Sequence, residues 1–549
     1  MERNHHPPLI QALLQAERHS DSIEQMELIE THISWVLLAG DFAYKIKKPL
    51  KLEFLDFSTL ALRKHYCEEE LRLNQRQTHG LYLGLCAITG SPLQPKLEEH
   101  NAQAQAFEYA VKMRRFKQSD LLDQRLAHGA LEQDEITLIS RTLHTFHQAI
   151  HAAEKNSNFG TPTCIRRYSE ENIAEILPAL GASSEDQTDR SELLAYQSWL
   201  DRQHKMLSPL FSSRKETGFV RECHGDLHLG NILLEGSVVQ LFDCIEFNPE
   251  LRWIDVISEL AFLAMDLDHH QRPDLAHWLI NDYLERSGDY AGAQLLPYYL
   301  AYRAMVRAKV AWLQRNQKLA LSKSKIANDV HLNSLRQSAS HYLHKAWQYA
   351  FTRKPCLLIT HGFSGSGKTT HTHALVKRLG AIRLRSDVER KRIFADLVKE
   401  NNAEKSSTEG THTSTQLYAP SVTRATYAYL QEQAAALLNA GFPVIVDATH
   451  LQRWQRNGFR EVAQALEAPF TILHFNAPTP VLESRIRERQ RQGTDASDAT
   501  IEVLRQQIRH YEPLQDDELS SVFEFDTEKS QPSDPHYSAV WDGLLSRLA

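Results

Sequence analysis

Two stretches of this 549-residue chain hold residue types at spacings suited to moving phosphate. The first is "HGDLHLGNILLEGSVVQLFD", from His224 to Asp243. His224, Asp226 and His228 alternate as metal ligands do on a strand, but a hydrolytic metal site needs three or more ligands converging beside an open position. Alternation alone does not make them converge. The same stretch satisfies H-x-D-x-x-x-x-N, with Asp226 five positions before Asn231. An apolar run, a Gly236-Ser237 turn and a second apolar run follow, predicting a hairpin that returns Asp243 to the side of Asn231. An Asn and an Asp so paired chelate magnesium on ATP, while the earlier Asp orients an acceptor hydroxyl. The metal-hydrolase reading gives no reason for a hairpin ending in an acid.

The second stretch is "GFSGSGKTT", Gly362 to Thr370, which fits G-x-x-x-x-G-K-[ST] after an apolar strand and before a helical run. Gly362, Ser364, Gly365, Ser366 and Gly367 would turn backbone N–H groups toward phosphate oxygens, with Thr370 continuing into the helix. Lys368 would reach the β- and γ-phosphates, and Thr369 would offer its hydroxyl to Mg2+. "PVIVDAT" ends a hydrophobic strand in Asp447, which would hold the magnesium directly or through water. Asp387 in "RLRSDVERKR" lies at the end of another predicted strand, where it should face the transferred group and accept a hydroxyl proton; a helix cap or a salt bridge to Arg390 is the plainer role. "LESRIRERQRQG" sets Arg485 and Arg489 four apart on one helix face, as a lid over the phosphates. Glu483 and Glu488 offer these arginines ordinary surface pairs instead.

The elements that must position these groups follow from patterning. "HISWVLLA" and "FAYKIKK" read as strands joined at Gly40-Asp41, "LRKHYCEEELRLNQR" as a helix, and "FEYAVKMRRF" as another strand. "DEITLISRTLHTFHQAIHAAE" has helical spacing, and residues 251–350 read as helical with Pro273 and Pro297 as interruptions. Beyond about 350, "CLLITH", "AIRLRS", "PVIVDAT" and "FTILHF" alternate with helices, which predicts a parallel sheet covered on both faces. Two domains are expected, residues 1–345 and 352–549. No segment is apolar enough to span a membrane or to act as a secretory signal, and the six cysteines form no C-x-x-C pair, so a cytoplasmic protein is expected. Residues 352–549 hold 24 Lys and Arg against 24 Asp and Glu, so the formal charge of −7 arises in the first part. That balance has no basic footprint for non-specific nucleic-acid binding.

The C-terminal motifs resemble the small P-loop kinases, a group with gluconate kinase, polynucleotide kinase and zeta-toxin-like members. That resemblance implies Asp387 on the acceptor and Arg485 and Arg489 on ATP. "CHGDLHLGN" and "LFDCIEF" resemble the aminoglycoside phosphotransferase family, relatives of protein kinases with a two-lobed fold, although Cys244 and Ile245 stand where protein kinases have Phe-Gly. By that resemblance "FAYKIKK" bears the ATP-binding lysine, Lys45 ahead of Lys47, paired with Glu70 ahead of Glu69. Asp255 matches a further, structural acid, and Arg303 with Arg307 share a helix face, near an anionic ligand or in an ion pair. A two-residue turn replaces the glycine-rich loop expected between the first two strands. The chain as a whole resembles bacterial fusions of an aminoglycoside-phosphotransferase-like domain with an AAA-type P-loop domain. The expectation is an α+β kinase-like domain and an α/β P-loop domain, both using ATP and Mg2+ to phosphorylate a hydroxyl of an unidentified small molecule. In the alternative, the first domain regulates and the second acts alone, on a nucleic-acid end or a nucleotide-sugar.

Overall fold

The computed structural model describes residues 6–15, 27–52, 55–99, 105–181, 183–321, 330–352, 354–403, 419–492, 499–527 and 537–548. Most of "GTDASDAT", the segment after the arginine helix, lies outside the described residues. Met1–Glu170 with His204–Asp266 form one compact unit, and Glu171–Gln203 with Leu267–Ala549 form the other. The unit holding the P-loop sheet therefore also takes in helical segments before residue 350.

In the first unit a six-stranded antiparallel sheet contains β1 (Glu27–Glu30), β2 (Ser34–Ala39), β3 (Phe42–Lys47), β4 (Tyr82–Ser91), β5 (Gln94–Glu99) and β6 (Glu108–Arg114), in the order β1-β2-β3-β6-β4-β5. Period-two alternation divides β3 between two cores. Tyr44 and Ile46 pack with Trp35, Ile10 and Leu13 on one face, and Ala43 packs with Cys67, Leu71 and Val111 on the other. Lys45 and Lys47 share that second face with Ala43. Helix α1 (Leu60–Asn74) lies against it, started by Thr59, whose side chain accepts from the Leu62 N–H. Helix α2 (Gln133–Ala149) follows, then the hairpin of β7 (Ile232–Glu235) and β8 (Val238–Leu241), and helix α3 (Val256–His269).

In the second unit, α4 (Pro273–Ser287), α5 (Leu296–Leu321) and α6 (Val330–Phe351) precede the sheet. Pro273 and Pro297 open helices here rather than interrupt them, because proline's fixed φ and missing N–H are tolerated in a first turn. On α5, Arg303 lies over the Tyr302 ring and Arg307 over Tyr342. The sheet has five parallel strands: β9 (Leu357–His361), β10 (Ile382–Arg385), β11 (Val444–Asp447), β12 (Phe470–Asn476) and β13 (Val522–Asp526), in the order β10-β11-β9-β12-β13. Around it lie α7 (Lys368–Leu379), α8 (Ser386–Ala403), α9 (Pro420–Asn439), α10 (Arg453–Ala465), α11 (Thr479–Gln492), α12 (Ile501–Arg509) and α13 (Tyr537–Leu548). Helix α4 covers the β10 edge. The Asn281 Oδ1 accepts the Arg383 N–H at 2.8 Å, and Glu285 meets Arg383 at 3.2 Å and Arg385 at 2.9 Å. None of the described helices is long and apolar enough to cross a membrane.

Candidate active sites

In the first unit the hairpin closes the site. β7 and β8 pair from Ile232 with Leu241 to Glu235 with Val238. The Phe242 N–H then donates to the Asn231 carbonyl at 3.1 Å, which brings Asp243 beside Asn231. The Asn231 Nδ2 donates to the Asp226 carbonyl at 2.9 Å and contacts its carboxylate at 3.4 Å. Asp243 has φ +64°, a left-handed conformation costly for a non-glycine residue, and its N–H donates to the Tyr82 hydroxyl at 3.2 Å. Its side chain is 42% exposed, so part of the carboxylate faces solvent.

Lys45 and Lys47 divide Glu70 between them. Lys45 Nζ lies 2.8 Å from Glu70 Oε1 and also pairs with Asp243. Lys47 Nζ lies 2.7 Å from Glu70 Oε2 and also pairs with Glu246. Burial opposes the Lys45 charge, but the Asp243 and Glu70 carboxylates outweigh it and hold the ammonium well above its ordinary pKa. Burial likewise pushes the Glu70 carboxyl up, and the two ammoniums more than reverse that. Glu69 points elsewhere, to Arg72 and Arg252.

His224, Asp226 and His228 do not form a three-ligand set among the described residues, although His228 Nε2 lies 3.6 Å from Asp226 Oδ2. His224 is buried, with Nε2 at 2.7 Å from the Phe242 carbonyl, while His228 accepts the Gly230 N–H at 3.1 Å. The loop is instead held by Glu259, a buried acid in the apolar run of α3. Its Oε1 accepts the N–H groups of His224 (2.6 Å) and Gly225 (2.9 Å), and its Oε2 meets His147 at 2.8 Å. Burial raises this carboxyl, yet those bonds and the nearby His147 leave it below the usual range. His147, Cys223 and Glu259 offer ligand atoms within 4.8 Å of one another, but both Glu259 oxygens are already engaged. Asp255 makes a buried two-point pair with Arg214, at 2.6 and 2.9 Å.

In the second unit the loop between β9 and α7 needs its glycines. A Cβ on Gly362 would come within 2.5 Å of the Phe475 carbonyl oxygen, and one on Gly365 within 2.8 Å of the Leu482 carbonyl oxygen, at φ of +146° and +85°. Lys368 donates back to the Gly362 and Phe363 carbonyls at 2.9 and 2.8 Å. Burial lowers its pKa to about 8, and the carboxylates of Asp447 and Asp387 offset this only in part. The Thr369 hydroxyl donates to Asp447 Oδ2 at 2.7 Å. Because β10 and β11 are parallel with Arg385 opposite Asp447, the chain leaves β10 beside Asp447 and sets Asp387 in the first turn of α8.

A cavity of about 1020 Å3 opens here, lined by Ser364, Gly365, Gly367, Lys368, Thr369 and Thr370 on the loop side and by Asp387 and Asp447 at the strand ends. Arg485 and Arg489 also line it. Arg485 donates to the Thr527 hydroxyl at 3.0 Å and Arg489 to the Ala499 carbonyl at 3.3 Å. Arg487 and Arg491 turn to Glu483 and Glu488. Gln507 on α12 brackets Ser364, accepting its N–H at 3.0 Å and donating to its hydroxyl at 2.9 Å.

Glu246, Glu259, Glu285 and Gln507 were not singled out from sequence. Only Glu259 had a readable signal, a carboxylate inside "VISELAFLAM", which must find partners if that helix is buried.

The phosphotransferase enzyme family matches residues 96–296, and the AAA domain family matches residues 357–514. An uncharacterized protein of Mycobacterium tuberculosis is 30% identical over 482 residues, covering 87% of this chain and 88% of its own, and a Mycobacterium bovis protein matches equally. Among solved structures, a gluconokinase from Sinorhizobium meliloti is 19% identical, covering 36% of this chain and 95% of its own, with a TM-score of 0.25. A choline kinase from Cryptosporidium parvum is 11% identical, covering 60% and 90%, with a TM-score of 0.36. A Ralstonia eutropha structure described as a "putative aminoglycoside phosphotransferase" is 13% identical, covering 62% and 97%, with a TM-score of 0.35.

Proposed function

We propose, for a chain that belongs to the same family as the uncharacterized mycobacterial proteins and is an ATP-dependent phosphotransferase with two kinase-type domains, that each domain holds Mg–ATP. The domains are taken as residues 1–345 and 352–549. The C-terminal one transfers the γ-phosphoryl group to a hydroxyl of a small molecule. The observation that carries this reading is the 2.7 Å contact of Thr369 with Asp447 in a cavity that Lys368, Asp387, Arg485 and Arg489 also line.

A hydroxyl and a carboxylate so placed are hard oxygen donors of the kind magnesium takes. The ion, when bound, would neutralise charge on the phosphate oxygens. Lys368 exchanges its two loop carbonyls for β- and γ-phosphate oxygens. Asp387 orients the acceptor hydroxyl and takes its proton, and Arg485 and Arg489 balance the charge that builds on the transferred group. In the N-terminal domain, Asn231 and Asp243 fit a second magnesium, Lys45 the phosphates with Glu70 holding it, and Asp226 the acceptor hydroxyl. The reaction is assigned to the cytoplasm, where ATP is supplied and where six buried free cysteines stay reduced.

One observation favours a second reading, in which the N-terminal domain binds nucleotide without turnover. Only Gly40-Asp41 joins β2 to β3, too short to cover phosphates as a glycine-rich loop does. Following labelled ATP in the full chain, Asp226→Ala and Lys368→Ala separates the two readings. Loss of a product in Asp226→Ala supports two active sites, and products unchanged in that variant leave only the C-terminal one. If Lys368→Ala loses no product, the C-terminal assignment fails. Labelling of a 5′-hydroxyl oligonucleotide that depends on Lys368 would move the acceptor from small molecules to nucleic-acid ends.

A further inference from the structure

The C-terminal cavity continues past Asp387. Its lining runs on to Arg424, Tyr427 and Trp454, and these three also line a second hollow of about 400 Å3 with Gln431, Asn457 and Glu461. Resting on the reading of this cavity as a kinase site, we infer that the acceptor carries a ring and an anionic group. The ring stacks on Trp454, the anion meets Arg424, and the hydroxyl to be phosphorylated reaches Asp387.

Trp454 is 43% exposed, yet it is held in place. Its indole N–H donates to Gln452 Oε1 at 2.7 Å, and the Tyr427 ring meets it edge-on with centroids 5.3 Å apart. A large flat side chain fixed from behind and open in front is a stacking surface, and stacking tolerates any ring with an apolar face. Arg424 stands one helical turn before Tyr427 and so shares its side of α9. It is exposed and lines both hollows.

The second hollow has a polar floor. Asn457 and Glu461 recur at three and seven positions after Trp454, along one face of α10. Gly458 admits the Gln431 side chain from α9, since a Cβ there would lie 2.1 Å from its Nε2. Two amides that both donate and accept, with one carboxylate, are suited to the polar edge of a ring. A straight-chain sugar acid would reach Asp387 but leave the indole and this floor uncovered. A nucleoside phosphate and a pyranose phosphate share the required chemistry.

The test uses the full chain carrying Asp226→Ala, so that N-terminal transfer is silent, with labelled Mg–ATP as donor. The acceptors are uridine 5′-monophosphate, uridine, glucose 1-phosphate, glucose and, as a ringless acid, gluconate. Ring-bearing phosphates are expected to be phosphorylated in preference to gluconate. Trp454→Ala should raise their KM about tenfold or more, as loss of one stacked ring does, with the KM for ATP unchanged, and Trp454→Phe should restore it. Arg424→Ala should weaken the phosphorylated member of each pair and spare the unphosphorylated one. Uridine and glucose distinguish a nucleobase from a pyranose. Transfer to gluconate alone, or ring acceptors indifferent to Trp454→Ala, overturns the inference while the kinase reading stands. Absence of transfer to any of the five overturns the inference, and the kinase reading falls with it only if Lys368→Ala also leaves ATP turnover by the full chain unchanged.

Discussion

The lysines assigned to phosphate in the two domains are shifted in opposite directions, because burial outweighs the neighbouring carboxylates at Lys368 and not at Lys45, and pH should separate the sites. Two carboxylates hold Lys45 charged well above its ordinary pKa, whereas burial brings Lys368 down to about 8. With that value about nine-tenths of Lys368 is charged at pH 7 and about one-tenth at pH 9. If only the ammonium form accepts the β- and γ-phosphates, affinity at the C-terminal site falls about tenfold over that interval, and the N-terminal site is indifferent. Bound between phosphates the amine is fully protonated, so binding at pH 8 takes up about half a proton. The check is calorimetric titration of a non-hydrolysable Mg–ATP analogue into the full chain with Lys45→Met, in buffers of different ionisation enthalpy at pH 7, 8 and 9. Lys368→Arg keeps its charge at all three and should show neither uptake nor pH dependence. Absence of uptake at pH 8, or equal uptake in Lys368→Arg, refutes the assignment. The sign for folding is opposite. The native amine titrates near 8 and the unfolded one near 10.5, so the unfolded state binds more protons between those values and the nucleotide-free unit gains stability as pH rises through them.

Lys47→Met leaves Glu246 and half of Glu70 buried without their cation, and should cost the N-terminal unit about 3 kcal/mol in denaturant unfolding. Adding Glu246→Gln should recover part of that loss; simple additivity would refute the pairing. Glu259→Gln keeps the shape but weakens the bonds to the His224 and Gly225 amides, so about 2 kcal/mol should be lost, with any Asp226-dependent turnover falling as well. Glu285→Gln removes a charged partner of Arg385, which lines the C-terminal cavity near Asp387. The KM for acceptor should rise while calorimetric affinity for the ATP analogue stays unchanged, and an equal loss of both would mark a merely structural pair.

What could be read from sequence was whatever lies close along the chain. The P-loop, the catalytic-loop hairpin and four of the five parallel strands are each specified within about twenty residues, because turn chemistry and side-chain period act locally. β13 was missed since only Phe525 of its five residues is buried, leaving no apolar run. Glu246, Glu285 and Gln507 act on partners 98 to 199 positions away, and nothing in their own neighbourhoods marks them.

The choice between Lys45 and Lys47 shows where local reasoning ends. A period of two puts both lysine side chains on one face of β3, with their Cα atoms about 7 Å apart along the strand, within reach of one carboxylate. A single carboxylate can therefore receive one on each oxygen, as Glu70 does, and pairing with Glu70 cannot distinguish them. What differs is the second partner: Asp243 for Lys45 and Glu246 for Lys47. Asp243 is the residue that the hairpin delivers to Asn231, and its carboxylate is partly open to solvent. Lys47 is wholly buried, out of reach of a phosphate. On the proposed reading the lysine next to the open acid is therefore the one to meet nucleotide, while Lys47, on the other Glu70 oxygen, would hold that carboxylate in position.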